Sequence, residues 1–289
     1  MNAVMEVKEA DKEIILDETQ LEAINKCTDL NNRIVAVTGS AGTGKTTILK
    51  QVYHTLYKQG RQVVLCAPTG KAAKRITEAT GIQAVTIHRL LEYPHPGERD
   101  EKTGKALITT DPKRDRRNPI EEMVVLCDEY AMVSVDVHRN LLDALPSGAV
   151  IRMFGDANQL QPIETSKRLQ ALPSSFLNML DKFVGIRLTT IHRQADDSSI
   201  ISNGARIVNG TMPLRTEDFN IKITTSPVET ITDFVMDNLA DGIDYGSTEH
   251  QIISPTKVGW VGCEALNGAI QQLLQPTGKH YQIVERHKW

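Results

Sequence analysis

The stretch Val37-Thr38-Gly39-Ser40-Ala41-Gly42-Thr43-Gly44-Lys45-Thr46-Thr47 restricts the fold of this chain more than any other. Its spacing is G-x-x-x-x-G-K-[ST], filled by Gly39, Gly44, Lys45 and Thr46. Arg33-Ile34-Val35-Ala36-Val37 precedes it, an apolar, β-branched run of the kind that forms a strand buried on both faces. Thr47-Ile48-Leu49-Lys50-Gln51-Val52-Tyr53 follows it with apolar residues at helical spacing. Strand, glycine loop and helix in that order predict a phosphate-binding loop. A helix start offers unpaired N–H groups and the positive end of its dipole. Glycines let that backbone wrap a phosphate closely. Lys45 can then reach β- and γ-phosphate oxygens, and the Thr46 hydroxyl can bind Mg²⁺. Gly39, Ser40, Ala41, Gly42, Thr43, Gly44, Lys45, Thr46 and Thr47 are therefore the candidate nucleotide-binding residues.

A second carboxylate-bearing strand fits the same chemistry. Met123-Val124-Val125-Leu126-Cys127 is apolar and ends in Asp128-Glu129. Asp128 can hold Mg²⁺ through water, and Glu129 can orient and polarise an attacking water. Ala149-Val150-Ile151-Arg152-Met153-Phe154 reads as a further strand that exits into Gly155-Asp156-Ala157-Asn158-Gln159. Polar groups at the ends of neighbouring parallel strands share one crevice, so Gln159 is placed to feel the γ-phosphate. Gly185 to Gln194 reads as another strand, leading to Arg193. An arginine there can stabilise phosphoryl transfer or simply be solvated.

Length and composition limit the setting. A chain of 289 residues suits two domains, each with its own core. No run approaches a transmembrane span, and Met1 to Glu13 lacks an apolar signal core, so the expectation is a cytoplasmic protein without membrane contact. Cys27, Cys66, Cys127 and Cys263 have no metal-ligand spacing and read as buried free thiols in a reducing compartment. The net charge of −3 argues against coating nucleic acid by bulk charge, yet it leaves room for a basic groove.

Other stretches carry two readings each. Asp17 and Gln20 have capping-box spacing, so Gln20 can cap a helix or read the adenine edge with its amide. Gln62 to Cys66 is a strand running into Ala67-Pro68-Thr69-Gly70, where Pro68 ends the strand and Thr69-Gly70 opens a helix start able to hold a phosphate. Lys71, Lys74 and Arg75 then form either a basic contact face or a solvated one. Thr86-Ile87-His88-Arg89-Leu90-Leu91 carries one histidine without metal partners. Residues 92–120 are rich in proline, glycine and charge and read as an insertion, either a hairpin around Glu101 to Thr110 or a surface loop, with a basic cluster at Lys113, Arg114, Arg116 and Arg117. Ser134 to Leu145 is an amphipathic helix capped by Ser134. Gln251-Ile252-Ile253-Ser254-Pro255-Thr256-Lys257 reads as a strand ending in a Pro-Thr loop that echoes Pro68-Thr69.

Together these motifs resemble the RecD/Dda-like superfamily 1 DNA helicases of the 5′→3′ branch, over roughly residues 14–280. Leu16 to Gln20 looks like the family's Q motif, Thr38 to Thr47 like motif I, Ala67 to Ala73 like motif Ia and Thr86 to Leu91 like motif Ib. Asp128-Glu129-Tyr130-Ala131-Met132 resembles motif II, Gly155 to Leu160 motif III, and Leu188-Thr189 with Arg193-Gln194 motif IV. Ser254-Pro255-Thr256-Lys257, Gly259, Gly262, Leu266-Asn267 and Gln271 look like the start of the second motor lobe.

The resemblance implies an α/β P-loop NTPase fold, with RecA-like parallel sheet lobes and helices on both faces. It implies a polar tail at 1–13, a first lobe at 14–204 with a small 1B-like insertion at about 92–120, and a partial second lobe at 205–289. It implies ATP and Mg²⁺ as cofactors and single-stranded DNA as partner. Gln20 would contact adenine, and Gln159 and Arg193 would sense the γ-phosphate. Pro68, Thr69, Gly70, His88, Pro255, Thr256 and Lys257 would face the DNA. The family continues beyond the point matching Trp289 with a barrel-like insertion and motifs V and VI, so further sequence or a partner chain is expected to supply them. The rival expectations are a DNA-binding module with an idle ATPase, and a P-loop ATPase acting on something other than nucleic acid.

Overall fold

The computed structural model describes residues 7–9, 12–14, 16–94, 111–162, 164, 170, 174–190, 198–243 and 250–274. The chain divides into two compact units, Met1–Ser198 and Ser199–Trp289.

The first unit is built on a six-stranded sheet. Its strands are β3 (Ile34–Gly39), β4 (Val63–Ala67), β5 (Ala84–Thr86), β6 (Val124–Cys127), β7 (Val150–Gly155) and β8 (Val184–Leu188), in the order β5-β4-β6-β7-β3-β8. Every pair is parallel. Parallel strands need crossovers, and the helices that make them cover both faces. They are α1 (Glu18–Thr28), α2 (Lys45–Lys58), α3 (Gly70–Thr80), α4 (Ile87–Leu90), α5 (Val135–Asp143) and α6 (Ser175–Lys182).

Alternation along the strands sorts the core into two layers. Val35, Val37, Leu65 and Phe154 join Ala23 of α1, Leu49 of α2 and Ile76 of α3 on one face. Ala36, Cys66, Val125 and Met153 join Ile87 of α4, Leu141 of α5 and Phe176 of α6 on the other. Both faces being covered explains the unbroken apolar runs read as strands.

Helix starts follow the sequence closely. Asp17, Thr69, Thr86, Ser134 and Ser174 each accept a hydrogen bond from a first-turn amide, and Asp17 with Gln20 completes a capping box. Such caps contribute about 1 kcal/mol each.

Three expectations need correction. The polar N-terminal tail contains a two-stranded antiparallel pair, β1 (Val7–Glu9) and β2 (Lys12–Ile14), with Val7 opposite Ile14. Strands of three residues are too short for periodicity to reveal them. The basic cluster is less of a free patch than its sequence indicates. Arg114 pairs with Glu92 at 2.6 Å and Arg116 with Asp143 at 2.9 Å, so two of its charges meet local carboxylates at the base of the insertion. The proposed hairpin around 101–110 lies outside the described residues.

The third correction concerns the second unit. It contains α7 (Ser199–Val208), α8 (Pro227–Ala240) and α9 (Cys263–Leu274), and none of its described residues is in a strand. Gln251 to Lys257 was expected to be one. Ile253 is 86% exposed, and no described strand of this unit offers the ladder that would hold it. Residues 254–262 instead form a compact loop over the start of α9. Ser254 Oγ donates to the Val261 carbonyl at 2.8 Å, and Cys263 N donates to the Thr256 carbonyl at 3.0 Å.

Candidate active site

The phosphate loop leaves β3 and enters α2. Gly42 and Gly44 have φ of 88° and 82°, a left-handed backbone that glycine adopts at little cost. A side chain at Gly39 would run into Thr43 Oγ1. Thr43 donates to the Ser40 carbonyl through Oγ1 at 2.9 Å, and Lys45 Nζ donates to the carbonyls of Gly39 at 2.6 Å and Ser40 at 3.0 Å. The ammonium thus lies inside the loop, on backbone oxygens that a phosphate can replace. Unlike the other helices of the sheet, α2 has no side-chain cap, so its first-turn amides are left for an anion.

Gln20 reaches this loop from α1. Its Nε2 donates to the Thr43 carbonyl at 3.1 Å, and its Oε1 accepts from Asp17 N at 3.1 Å. The capping reading of Gln20 therefore describes this structure, with a loop contact that spacing did not reveal.

Strand order brings the other groups alongside. β7 lies next to β3 and β6 next to β7, all parallel, so the loops after the three strands open at the same, C-terminal end of the sheet. Asp128, at the tip of β6, is 8% exposed and accepts from Glu129 N at 2.9 Å. Burial raises its pKa from 3.8 to about 6, aided by the Glu129 charge and opposed by that backbone hydrogen bond and by Lys45. Glu129 has a φ of 52°, rare for a residue with a side chain, and its Oε2 is buried with no hydrogen-bond partner among the described residues. A buried carboxylate oxygen without a partner is costly, and so is a left-handed backbone at a residue with a side chain; Glu164 Oε2 shares the first feature and Glu92, with φ of 53°, the second, but Glu129 combines both.

Motifs II and III are joined by contacts absent from the sequence reading. Tyr130 is fully buried, and its hydroxyl pairs with His138 Nδ1 at 2.8 Å. Burial lowers the His138 pKa to about 4. A side chain at Gly155 would meet Ala131 N and the Phe176 ring at 3.0 Å, so the two turns pack directly. Asp156 shapes the next turn, accepting from Asn158 N at 2.9 Å and from Gln159 N at 3.2 Å. Gln159 itself is exposed. Thr38, one residue before the loop and 5% exposed, accepts from Ala157 N at 2.9 Å, which ties motif III to β3.

The Thr38 bond makes a direct prediction. Thr38→Val keeps the shape and removes the acceptor, so nucleotide affinity should change little while turnover falls roughly three- to tenfold, the size of one buried hydrogen bond. Steady-state kinetics separating kcat from KM checks this.

Asp128 makes a second one. Between pH 6 and 4 the folded chain keeps a proton there that the unfolded chain has released, so the raised pKa stabilises the fold as pH falls. His138 acts oppositely, because the unfolded chain binds its proton first. Asp128→Asn removes only the first effect. Its stability should fall on the order of 2–3 kcal/mol more than wild type between pH 7 and 4, measured by urea unfolding.

The candidate DNA contacts fall in two groups. Pairing of Ala67 with Thr86 puts the ends of β4 and β5 side by side, so Pro68, Thr69, Gly70 and His88 share the sheet edge of the loop. The Thr69 hydroxyl accepts from Ala72 N as the cap of α3. His88 is exposed, with its ring 4.7 Å from that of Tyr93, whose hydroxyl accepts from Asn140 Nδ2 at 2.8 Å. Pro255, Thr256 and Lys257 are exposed on the second unit. Arg193 lies outside the described residues.

The donor set fits a magnesium-bound nucleoside triphosphate: a glycine cradle, a lysine on displaceable carbonyls, the Thr46 hydroxyl, and two carboxylates of which one has a free oxygen. Among the described residues no cluster of three or more His, Cys, Asp or Glu can hold a metal alone. Mg²⁺ is commonly held by one or two protein oxygens together with phosphates and water.

The profile of the AAA domain family matches residues 15–225, well over half of the chain. The chain belongs to the AAA domain family. Among curated proteins it is similar to the ATP-dependent RecD2 DNA helicase of Deinococcus radiodurans, 30% identical over 270 residues, which is 93% of this chain and 34% of that protein. It is also 31% identical over 187 residues to the RecBCD enzyme subunit RecD of Mycobacterium tuberculosis, covering 57% of this chain and 30% of that protein. A solved structure of a Bacteroides Pif1 in complex with ADP-AlF4 aligns over 76% of this chain and 50% of that one, at 25% identity and a TM-score of 0.43. The chain spans about a third of the length of the curated relatives it matches. The resemblance to RecD-like superfamily 1 helicases, read from motif order, is borne out by these relatives. The first unit is accordingly an α/β P-loop NTPase core of the RecA-like kind. No helix among the described residues is long and apolar enough to cross a membrane.

Proposed function

We propose that this chain is an ATP-hydrolysing motor that binds single-stranded DNA and moves along it 5′→3′, in replication, recombination or repair. The observation that carries this reading is that the phosphate loop after β3 and a carboxylate after β6, two strands away across β7, open at the same end of the parallel sheet, the carboxylate with a buried Oε2 that has no partner among the described residues. The polarity rests on the likeness to the RecD/Dda-like branch. The buried thiols Cys27, Cys66 and Cys127 suit the reducing cytoplasm.

Lys45 exchanges the carbonyls of Gly39 and Ser40 for phosphate oxygens, and the amides of Lys45, Thr46 and Thr47 surround the same anion. Thr46 and Asp128 would hold Mg²⁺, which supplies the charge that neutralises the β- and γ-oxygens. Glu129 Oε2 accepts a hydrogen bond from the attacking water and aligns it. Gln159 and Arg193 sense the γ-phosphate, and Thr38 passes the state of that loop to β3. Pro68, Thr69, Gly70 and His88 grip the DNA on the first unit, with Pro255, Thr256 and Lys257 as the second grip.

DNA binding is tested by fluorescence anisotropy with a labelled oligo(dT) across a salt series. We expect binding that weakens with salt, about threefold or more loss on His88→Ala from a lost stacking or polar contact, and an affinity that changes when a non-hydrolysable ATP analogue is added. Binding that is absent at low salt, or that ignores the nucleotide, would contradict the motor reading.

A further inference from the structure

We infer that Glu164 is a positioning residue: by holding the first amide of α5, it tethers the exit of the loop that carries Gln159 to the helix that follows Glu129. The inference rests on the nucleotide-site reading above, in which Gln159 faces the γ-phosphate.

Three observations point this way. Glu164 is 7% exposed, and its Oε1 accepts from Val135 N at 3.0 Å. Val135 opens α5, directly after Ser134, whose hydroxyl already serves the Val137 amide. Glu164 thus takes a first-turn amide that has no acceptor within its own helix. Its backbone is held as well, since the Glu164 carbonyl accepts from Gln170 Nε2 at 3.1 Å. The near end of the same loop is fixed too, by Ala157 N on Thr38 and by Asp156 on the amides of Asn158 and Gln159. Gln159 and Leu160 lie exposed between the two anchors.

Packing alone does not account for this side chain. Glu164 Oε2 is buried without a hydrogen-bond partner among the described residues, and an apolar residue of similar size would avoid that desolvation. Stability is therefore not what a carboxylate serves best here. The tether is short enough to be felt at Gln159. Glu164 lies five positions further on, and Pro162 between them has a fixed φ. The other end of the tether is short as well, because α5 starts six positions after Glu129. Glu164 therefore links the γ-phosphate-facing loop to the segment that carries the water-orienting carboxylate, and it acts through both without touching the nucleotide.

Amide hydrogen exchange on the full chain without nucleotide tests the tether itself. Glu164→Leu is close in size and removes the acceptor. Peptides covering 156–162 and the start of α5 should then exchange about three- to tenfold faster, the size of one buried hydrogen bond. Glu164→Gln keeps an oxygen for Val135 N and should restore exchange to within about twofold of wild type. Steady-state kinetics, run well below the unfolding midpoint of each variant, reads the consequence. In Glu164→Leu kcat for ATP should fall about three- to tenfold with KM within about twofold, and Glu164→Gln should recover it. Thr38→Val frees the other end of the same loop, so adding it to Glu164→Leu should deepen the larger single loss by less than about twofold. Should Glu164→Leu not fold, Val135→Pro removes the donor instead. Proline suits the first position of a helix, and Ser134 before it is already extended with ψ of 158°, so the same losses are expected. Unchanged exchange, or losses that multiply in the double variant, would overturn the tether. Faster exchange with an unchanged kcat would reduce Glu164 to a helix cap. A wild type that does not hydrolyse ATP would strike the nucleotide reading instead, and exchange would still decide the tether.

Discussion

Glu129→Gln is expected to lower ATP turnover by about 10²–10⁴-fold, the usual contribution of a positioned acid–base group, while leaving MgATP affinity nearly intact. The substitution keeps the size of the side chain and removes its negative charge. Oε2 is buried and has no partner among the described residues, so its hydrogen-bonding capacity is available to a reacting water. The left-handed backbone at Glu129, with φ of 52°, is part of the same arrangement. A residue in that region costs on the order of 1–3 kcal/mol and persists where neighbours hold it. Here the neighbours are Asp128, whose carboxylate accepts the Glu129 amide, and the fully buried Tyr130. Single-turnover hydrolysis beside equilibrium binding separates the two effects. Turnover within threefold of wild type would exclude Glu129 from water activation. Asp128→Asn should behave differently, losing metal-dependent nucleotide binding first.

Arg152→Met is expected to destabilise the first unit by about 3–5 kcal/mol, because several buried carbonyls lose their donor at about 1–3 kcal/mol each while the cost of burying the charge is relieved. Arg152 sits in the middle of β7 with 0% exposure, on the face that packs α1. Its guanidinium donates to the carbonyls of Cys27, Asp29, Asn32 and Ile151 at 2.6 to 3.1 Å. These oxygens belong mainly to the end of α1 and the turn that follows, where the helix dipole is negative and the last carbonyls lack partners. Methionine fills most of the volume and satisfies none of them. Arg152→Lys keeps the charge without the planar fork, so an intermediate loss is expected. Urea unfolding measures both, and a loss below about 1 kcal/mol for the methionine variant would mean that water replaces the guanidinium freely.

These two residues differ in how visible they are in the sequence. Asp128-Glu129 stands out because two carboxylates close an apolar strand in a chain with a glycine loop. The phosphate loop is visible for the same reason, since phosphate chemistry demands particular residue types at fixed spacing. The caps Asp17, Thr69 and Ser134 are local and equally readable. Arg152 needs the tertiary structure. Its one signal is a charge in the middle of an otherwise apolar strand, and spacing cannot say that the end of α1 comes to meet it. Gln20 shows the same limit: the capping box is local, while its contact with Thr43 depends on how α1 meets the loop. Tyr130 and His138 pair across a turn and a helix, beyond any periodic pattern. The stretch at 251–257 errs in the opposite direction. Its apolar, β-branched residues favour a strand, but strand formation needs a partner ladder, and none of the described residues of the second unit supplies one.

The central claim is that nucleotide turnover in this chain is coupled to nucleic acid. The most direct measurement is steady-state ATP hydrolysis by the 289-residue chain with and without single-stranded DNA, with Lys45→Ala as the control. The account predicts hydrolysis that rises at least about tenfold with the DNA and disappears in the lysine variant, as expected when phosphate contacts supply most of the catalysis. Hydrolysis that depends on Lys45 but ignores DNA would contradict it and point to a P-loop ATPase with a different substrate.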